Sequence, residues 1–313
     1  GGNWVCFQGT VFPQWRPRVL GADPCPFFRG GDERSNENRA LSAMQTLFGR
    51  EHNFWADSIK AGDSTLDDEG IYQRARAFVV AEIQSITYRD FIPILLGPNA
   101  LTPYTGYKST VDPRVSIAFS TAGFRVGHTF LPPVLNRLNA TNHSLGDLTL
   151  DKALFQPQLI TKFGIEPYLR GLAKQIPQEV DVSIVDGVRN FFTGIGTGFD
   201  LAALNIQRGR DHGLPSYNQV RIDYGLVPRA SFAEVTSNLD FQARLASAYS
   251  SPDDMDLLVG CLAEDHVNGG LVGETMGTIF KDQFERTPDG DRSRVESSCG
   301  PTTPPTLDQH PDG

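Results

Sequence analysis

The placement of glycine and proline constrains this chain more than any other feature. The 313 residues include 31 Gly and 21 Pro. These fall between stretches whose apolar residues recur every three or four positions, and no stretch shows the alternation of a half-buried strand. The expected fold is therefore mainly α, with modest helices, irregular connections and little β-structure. Residues 35–59 place Leu41, Met44, Leu47, Phe48, Trp55 and Ile59 on one helix face, with Asn38 as cap and Gly62 as stop. Ser64 and Asp67–Glu69 supply a cap and dipole-favoured acids ahead of Tyr72, Ala75, Val79, Ile83 and Ile86, a pattern ended by Pro93 and Gly97-Pro98. Asp112-Pro113 opens a third helix over 114–129, closed by Pro132-Pro133. Further helices are expected over 157–175, 181–193, 201–207, 215–223, 231–250 and 271–284, with Gly194, Gly196 and Gly198 as a flexible link.

Residues 1–30 carry Pro13, Pro17, Pro24 and Pro26 with little periodicity and read as an irregular lead-in, with Cys6–Cys25 as a candidate disulfide. Residues 31–292 read as one domain. Residues 293–313 form a Pro-rich tail that cannot bury enough surface to order itself. The formal charge of −9 opposes attraction to phosphate backbones and anionic lipid, so neither nucleic acid nor a membrane surface is expected as a partner. The most apolar stretch, 115–135, is interrupted by Arg125 and His128, which excludes it as a membrane span. Four Cys, at 6, 25, 261 and 299, allow two disulfides and show no zinc-site spacing. Asn139-Ala140-Thr141 and Asn142-His143-Ser144 are both glycosylation acceptors in a polar stretch. With the even Cys count they favour a secreted, oxidising setting. The N-terminus has neither an initiator Met nor a basic leader, so any secretion signal is expected to have been removed or to lie outside the sequence.

Six His are present, at 52, 128, 143, 212, 266 and 310. His128 sits among the apolar residues of 124–131, at the end of a predicted helix, and Gly127 beside it leaves no side chain to obstruct a planar ligand. On residue type it reads either as a satisfied core histidine or as an iron ligand whose second ring nitrogen needs an oxygen acceptor. Arg208, Arg210, Asp211 and His212 concentrate charge between an apolar helix and a Gly/Pro turn. They can bind a carboxylate or knit the helix end by internal ion pairs. Arg34 and Glu37, three apart, read as one face of a helix start. His52 reads as helix-surface polarity.

The stretch 204–218, Leu-Asn-Ile-Gln-Arg-Gly-Arg-Asp-His-Gly-Leu-Pro-Ser-Tyr-Asn, resembles the hallmark of the animal haem peroxidases, the group of myeloperoxidase, lactoperoxidase and peroxidasin. Blocks at 31–37, 46–53, 86–93 and 124–132 fall in the family's order, and the resemblance covers roughly residues 22–292. It implies a helical haem domain using hydrogen peroxide to oxidise halide, thiocyanate or phenolic donors. His128 matches the proximal haem-iron ligand and Asn205 the residue accepting its second N–H, a bond that raises imidazole basicity. Arg125 and Arg208 match positions near the proximal side and the haem propionates. Arg34 matches the distal arginine, which stabilises negative charge on peroxide. Glu37 matches a carboxylate that esterifies a haem methyl in several members, so haem b, covalently linked through Glu37, is the cofactor implied.

The chain departs from the family at its start. No His precedes His52, so residues 1–33 hold no counterpart of the distal acid/base, and the adjoining aspartate and calcium-binding loop also have none. The domain is thus expected to be incomplete. General acid–base help is typically worth about 10²–10⁴-fold, so the chain as it stands is expected to be a poor peroxidase. The competing reading is a peroxidase-like extracellular matrix or binding protein with impaired catalysis.

Overall fold

The computed structural model describes residues 33–154, 156, 158–190 and 200–291. The lead-in with its Cys6–Cys25 pair, the Gly194–Gly198 link and the 293–313 tail lie outside the described residues. In chain order the helices are α1 (Arg39–Gly62), α2 (Asp68–Ile86), α3 (Ile92–Leu96), α4 (Ile117–Thr121), α5 (Leu150–Ala153), α6 (Gln158–Phe163), α7 (Glu166–Lys174) and α8 (Asp186–Arg189). They continue with α9 (Leu201–Asp211), α10 (Tyr217–Asp223), α11 (Phe232–Val235), α12 (Leu239–Ala248), α13 (Leu257–Ala263) and α14 (Glu274–Gly290). Among the described residues the only sheet is the antiparallel pair β1 (Val134–Leu135) and β2 (Leu148–Thr149). The fold is mainly α, as the punctuation predicts.

The described residues form two compact units, one within 1–65, 132–177 and 186–199, the other within 66–131, 178–185 and 200–313. In the first, Asn38 caps α1 as expected, its Oδ1 accepting from Leu41 N at 2.8 Å. The core joins Ala43 of α1 to Leu135, Ala153, Ile160, Ile165 and Tyr168. Buried Arg39 donates through Nη2 to Gln156 Oε1 at 3.0 Å. The single helix expected over 157–175 is broken at Gly164, whose φ of 74° is a left-handed turn suited to glycine. The loop between β1 and β2 holds both glycosylation acceptors: Asn139 Oδ1 accepts from Thr141 N, Thr141 Oγ1 and His143 N, while Asn142 is exposed at φ 61°.

In the second unit the helix begun at Asp68 passes through Pro93 instead of stopping there. A π-helical turn, Thr87–Phe91, precedes α3, with Ile92 N donating to Thr87 O, and the wider turn makes room for a proline ring without an N–H. The helix ends at Gly97, φ 89°. The helix expected over 231–250 is split because Asp265 takes donors from Thr236 Oγ1 and Ser237 N, and Asn238 then caps α12. The last helix outruns its expected end at 284 and continues through Pro288. Lys108 holds that end, donating from N to Asp289 O at 2.6 Å and from Nζ to Asp289 Oδ2 at 2.7 Å. The sequence pattern misses α13, whose Leu-Leu-Val-Gly-Cys-Leu-Ala run is apolar all round and so carries no periodic signal. This helix and α14 form the core, with Leu257, Leu258, Cys261, Met276, Ile279 and Phe280 buried.

Candidate functional site

His128 ends a 3₁₀ segment, Gly123–His128, where a single α-helix over 114–129 is expected. Ser116 caps the preceding α4 by accepting from Phe119 N, and the backbone then tightens at Gly123 against α14. A Cβ on Gly123 would lie 3.3 Å from Ile279 Cγ2 and 3.4 Å from Phe280 Cε2, so glycine is what allows this approach. Phe119 stacks on Phe124 at 5.1 Å between centroids, and Thr129 Oγ1 donates to Val126 O at 2.8 Å. These contacts fix the segment that carries the imidazole.

Asn205 reaches the same point from α9, which Asp200 caps by accepting from Ala203 N. The Asn205 amide nitrogen lies 2.9 Å from His128 Nδ1 and donates to Leu201 O at 2.7 Å. One atom touching a carbonyl oxygen and a ring nitrogen must be the donor, because an amide oxygen there would face Leu201 O acceptor to acceptor. His128 Nδ1 therefore accepts, and the ring proton sits on Nε2. Burial, and then the charge of Arg125, push the imidazole down to about 4, so the ring is neutral near pH 7. Nε2 makes no hydrogen bond with any described residue. Next to it, a Cβ on Gly127 would meet nothing within 4 Å.

The other residues singled out in the sequence fall around this pair or in the other unit. Arg208 lies one turn beyond Asn205, exposed and without an ion pair among the described residues. Arg125 is half-buried. Arg34 and Glu37 belong to the first unit, in and just after a 3₁₀ turn, Glu33–Asn36, with Glu37 N donating to Arg34 O at 2.9 Å. No group of three or more His, Cys, Asp or Glu side chains among the described residues is arranged to hold a metal ion. The second unit brings together a neutral imidazole whose Nε2 makes no hydrogen bond with a described residue, open space at the Gly127 Cβ position and, one turn beyond Asn205 on α9, an exposed guanidinium without an ion pair among the described residues. That donor set fits haem. Cys261 is a free, buried thiol pushed well up by burial, and no helix among the described residues is long and apolar enough to cross a membrane.

Sequence reasoning missed an ion pair behind Asn205. Arg210 donates from Nε to Asp256 Oδ1 at 2.8 Å and from Nη2 to Oδ2 at 2.6 Å, and Tyr249 OH donates to Oδ2 at 2.8 Å. The charged 208–212 motif signals such a pair, but its partner 46 residues on has no local signature. Of the two readings of that motif, Arg210 follows the internal ion pair, while Arg208 is exposed and makes no ion pair among the described residues.

The animal haem peroxidase family model matches residues 11–302. The chain is 39% identical over 269 residues to peroxinectin A of Dictyostelium discoideum, covering 85% of this chain and 50% of that protein. It is 40% identical over 296 residues to human eosinophil peroxidase, covering 86% and 41%. Peroxidase A from Dictyostelium discoideum superposes with a TM-score of 0.80 at 39% identity, covering 84% of this chain and 51% of that one. The class defined here is a helical haem-peroxidase fold. The chain belongs to the animal haem peroxidase family, and it spans about half or less of the length of these relatives.

Proposed function

We propose that this chain holds haem b through His128 and belongs to an enzyme that oxidises a halide, thiocyanate or a phenolic donor with hydrogen peroxide. The observation carrying the reading is the Asn205–His128 contact at 2.9 Å, which orients the ring and leaves Nε2 uncommitted. Haem, when bound, supplies the redox-active iron with which peroxide reacts. The chain's own residues do the rest. Ligation through Nε2 calls for the ring proton to move to Nδ1 and for the Asn205 amide to turn its Oδ1 toward that N–H, away from Leu201 O. Arg208, with Arg125 near the ring, pairs with propionate carboxylates. Arg34 stabilises negative charge on peroxide, and Glu37 is the candidate ester to a haem methyl.

Secretion is proposed on the tandem acceptors Asn139 and Asn142 in the loop between β1 and β2, and Cys6–Cys25 remains the proposed disulfide. Reconstitution tests the ligand: the haem-loaded chain should show a Soret band that His128→Ala loses, and equal spectra would remove His128 from the role. Expression through a secretory host should add glycan mass that the double Asn139→Gln, Asn142→Gln variant lacks.

The alternative reading is a peroxidase-like extracellular matrix or binding protein with impaired catalysis. Peroxide-dependent phenol oxidation no faster than free haem supports it, and turnover well above that background rejects it.

A further inference from the structure

Beyond Asn205, the inward side of α9 has little to rest on. Leu201 and Asn205 are its buried residues, and Ile206 and Gly209 beyond them line a cavity of about 210 Å³. A void leaves its lining without partner atoms, so packing does not fix the lie of this half of the helix. Arg210 ties it down, donating from Nε and Nη2 to the two carboxylate oxygens of Asp256. We propose that Asp256 is a positioning residue for the His128–Asn205 pair: through Arg210 it sets the lie of α9 that holds the Asn205 amide against His128 Nδ1.

Asp256 stands at the N-cap position of α13, yet its side chain makes no capping bond there. An Asp so placed ordinarily satisfies a free N–H of its own helix. Its oxygens instead take donors from Arg210 and from Tyr249 OH. Exposed ion pairs contribute little to stability, and Arg210 is 59% exposed. The carboxylate, however, is only 16% exposed and is held through both oxygens, which fixes an angle as well as a distance. The pair therefore acts on geometry more than on energy. The backbone continues the tie, with Leu214 N donating to Gly209 O at 3.0 Å and Tyr217 N to Met255 O at 2.8 Å. All these groups lie in the second unit. The orienting role rests on the Asn205–His128 contact; only its bearing on haem rests on the function proposed above.

NMR of the full, haem-free chain at pH 7 tests this. In the unmodified chain the ring nitrogen shifts of His128 should report the proton on Nε2. Asp256→Asn should mix the two ring tautomers and move the Asn205 side-chain NH₂ resonances. Arg210→Met should do the same, and the double variant should do no more than either single one. Tyr249→Phe removes one donor to Asp256 and should move both signals part of the way, which keeps the test open if the other variants do not fold. Lys108→Met removes another ion pair of the same unit, with Asp289 at 2.7 Å, and should lower the melting temperature without moving either signal. Unmoved His128 and Asn205 signals in folded Asp256→Asn, or equal movement in Lys108→Met, would overturn the proposal. In Soret titrations Asp256→Asn should weaken haem about three- to tenfold, less than the roughly 10–100-fold typical of losing a ligand's own hydrogen-bond partner. An unmodified chain that takes up no haem would count against the proposed function, while the NMR signals still decide the role of Asp256.

Discussion

Arg221 Nη1 lies 2.8 Å from Glu264 Oε1, with 1% and 3% of the two side chains exposed. The pair ties α10 to the end of α13 and to the start of α14. Arg221 Nη1 also donates to Thr275 Oγ1, Tyr217 OH donates to Glu264 Oε1, and Thr275 N donates to Glu264 Oε2. Burial, and Glu264 second, push the Tyr217 phenol up, which keeps it a donor. The helices gathered here flank the ones that carry Asn205 and the Gly123–His128 segment, so the network supports the site without touching it.

Removing one partner of a buried pair typically costs about 3–5 kcal/mol; Arg221 keeps Glu274 Oε2 at 2.7 Å from Nη2, but without Glu264 its Nη1, the Tyr217 OH and Thr275 N all lose their carboxylate acceptor. Glu264→Leu should therefore lower the urea midpoint strongly. Glu264→Gln keeps an acceptor for Tyr217 and Thr275 and should cost clearly less. Equal midpoints for the two variants would show that the acceptor oxygens of Glu264 contribute nothing beyond its charge.

Asp256 gives a pH signature. The hydrogen bond from Arg210 holds its carboxyl below the ordinary carboxylate value of 3.8, against a smaller effect of burial. A carboxyl that titrates lower in the folded state binds fewer protons there than in the unfolded state. Its stabilisation is therefore present above about pH 4 and is lost as pH falls through the folded value. Arg210→Met should return Asp256 toward its ordinary range and flatten the acid limb of stability below pH 4. Carbon-detected titration of Asp256 in both proteins checks this, and an unchanged titration would show that Arg210 does not hold the carboxylate.

What could be read from the residues follows how local each signal is. The cap at Asn38 and the mainly helical class rest on neighbours three or four apart, and they are found where expected. Breaks that depend on distant partners were not legible. Asp265 splits the helix expected over 231–250, Lys108 holds α14 past Pro288, and Asp256 partners Arg210. Their residues are ordinary in sequence and become specific only when the chain brings them together. For His128 and Asn205 the resemblance brings the two residues together across 77 positions, and spacing alone does not. The resemblance makes Asn205 the acceptor of the imidazole N–H, whereas the structure places the Asn205 amide nitrogen against His128 Nδ1, a direction set by the Leu201 carbonyl one turn back along α9.

Two glycines five residues before and one residue before His128, in that order, separate folding from haem uptake. At Gly123 a methyl would press on Ile279 and Phe280 at 3.3–3.4 Å, and a larger side chain overpacks a well-filled core at about 1–3 kcal/mol. Gly123→Val should thus lower the thermal midpoint of the haem-free chain and, by displacing the 3₁₀ segment, weaken haem as well. Gly127 has nothing within 4 Å of a Cβ, so Gly127→Ala should leave the haem-free chain unchanged within about 0.5 kcal/mol. If the open space beside His128 is where a flat ligand lies, Gly127→Ala should still reduce haem affinity severalfold. Thermal unfolding of the apo forms, with Soret titration of each variant, reads both effects. Full haem affinity in Gly127→Ala would place the ligand on another side of the imidazole, whatever the outcome at Gly123.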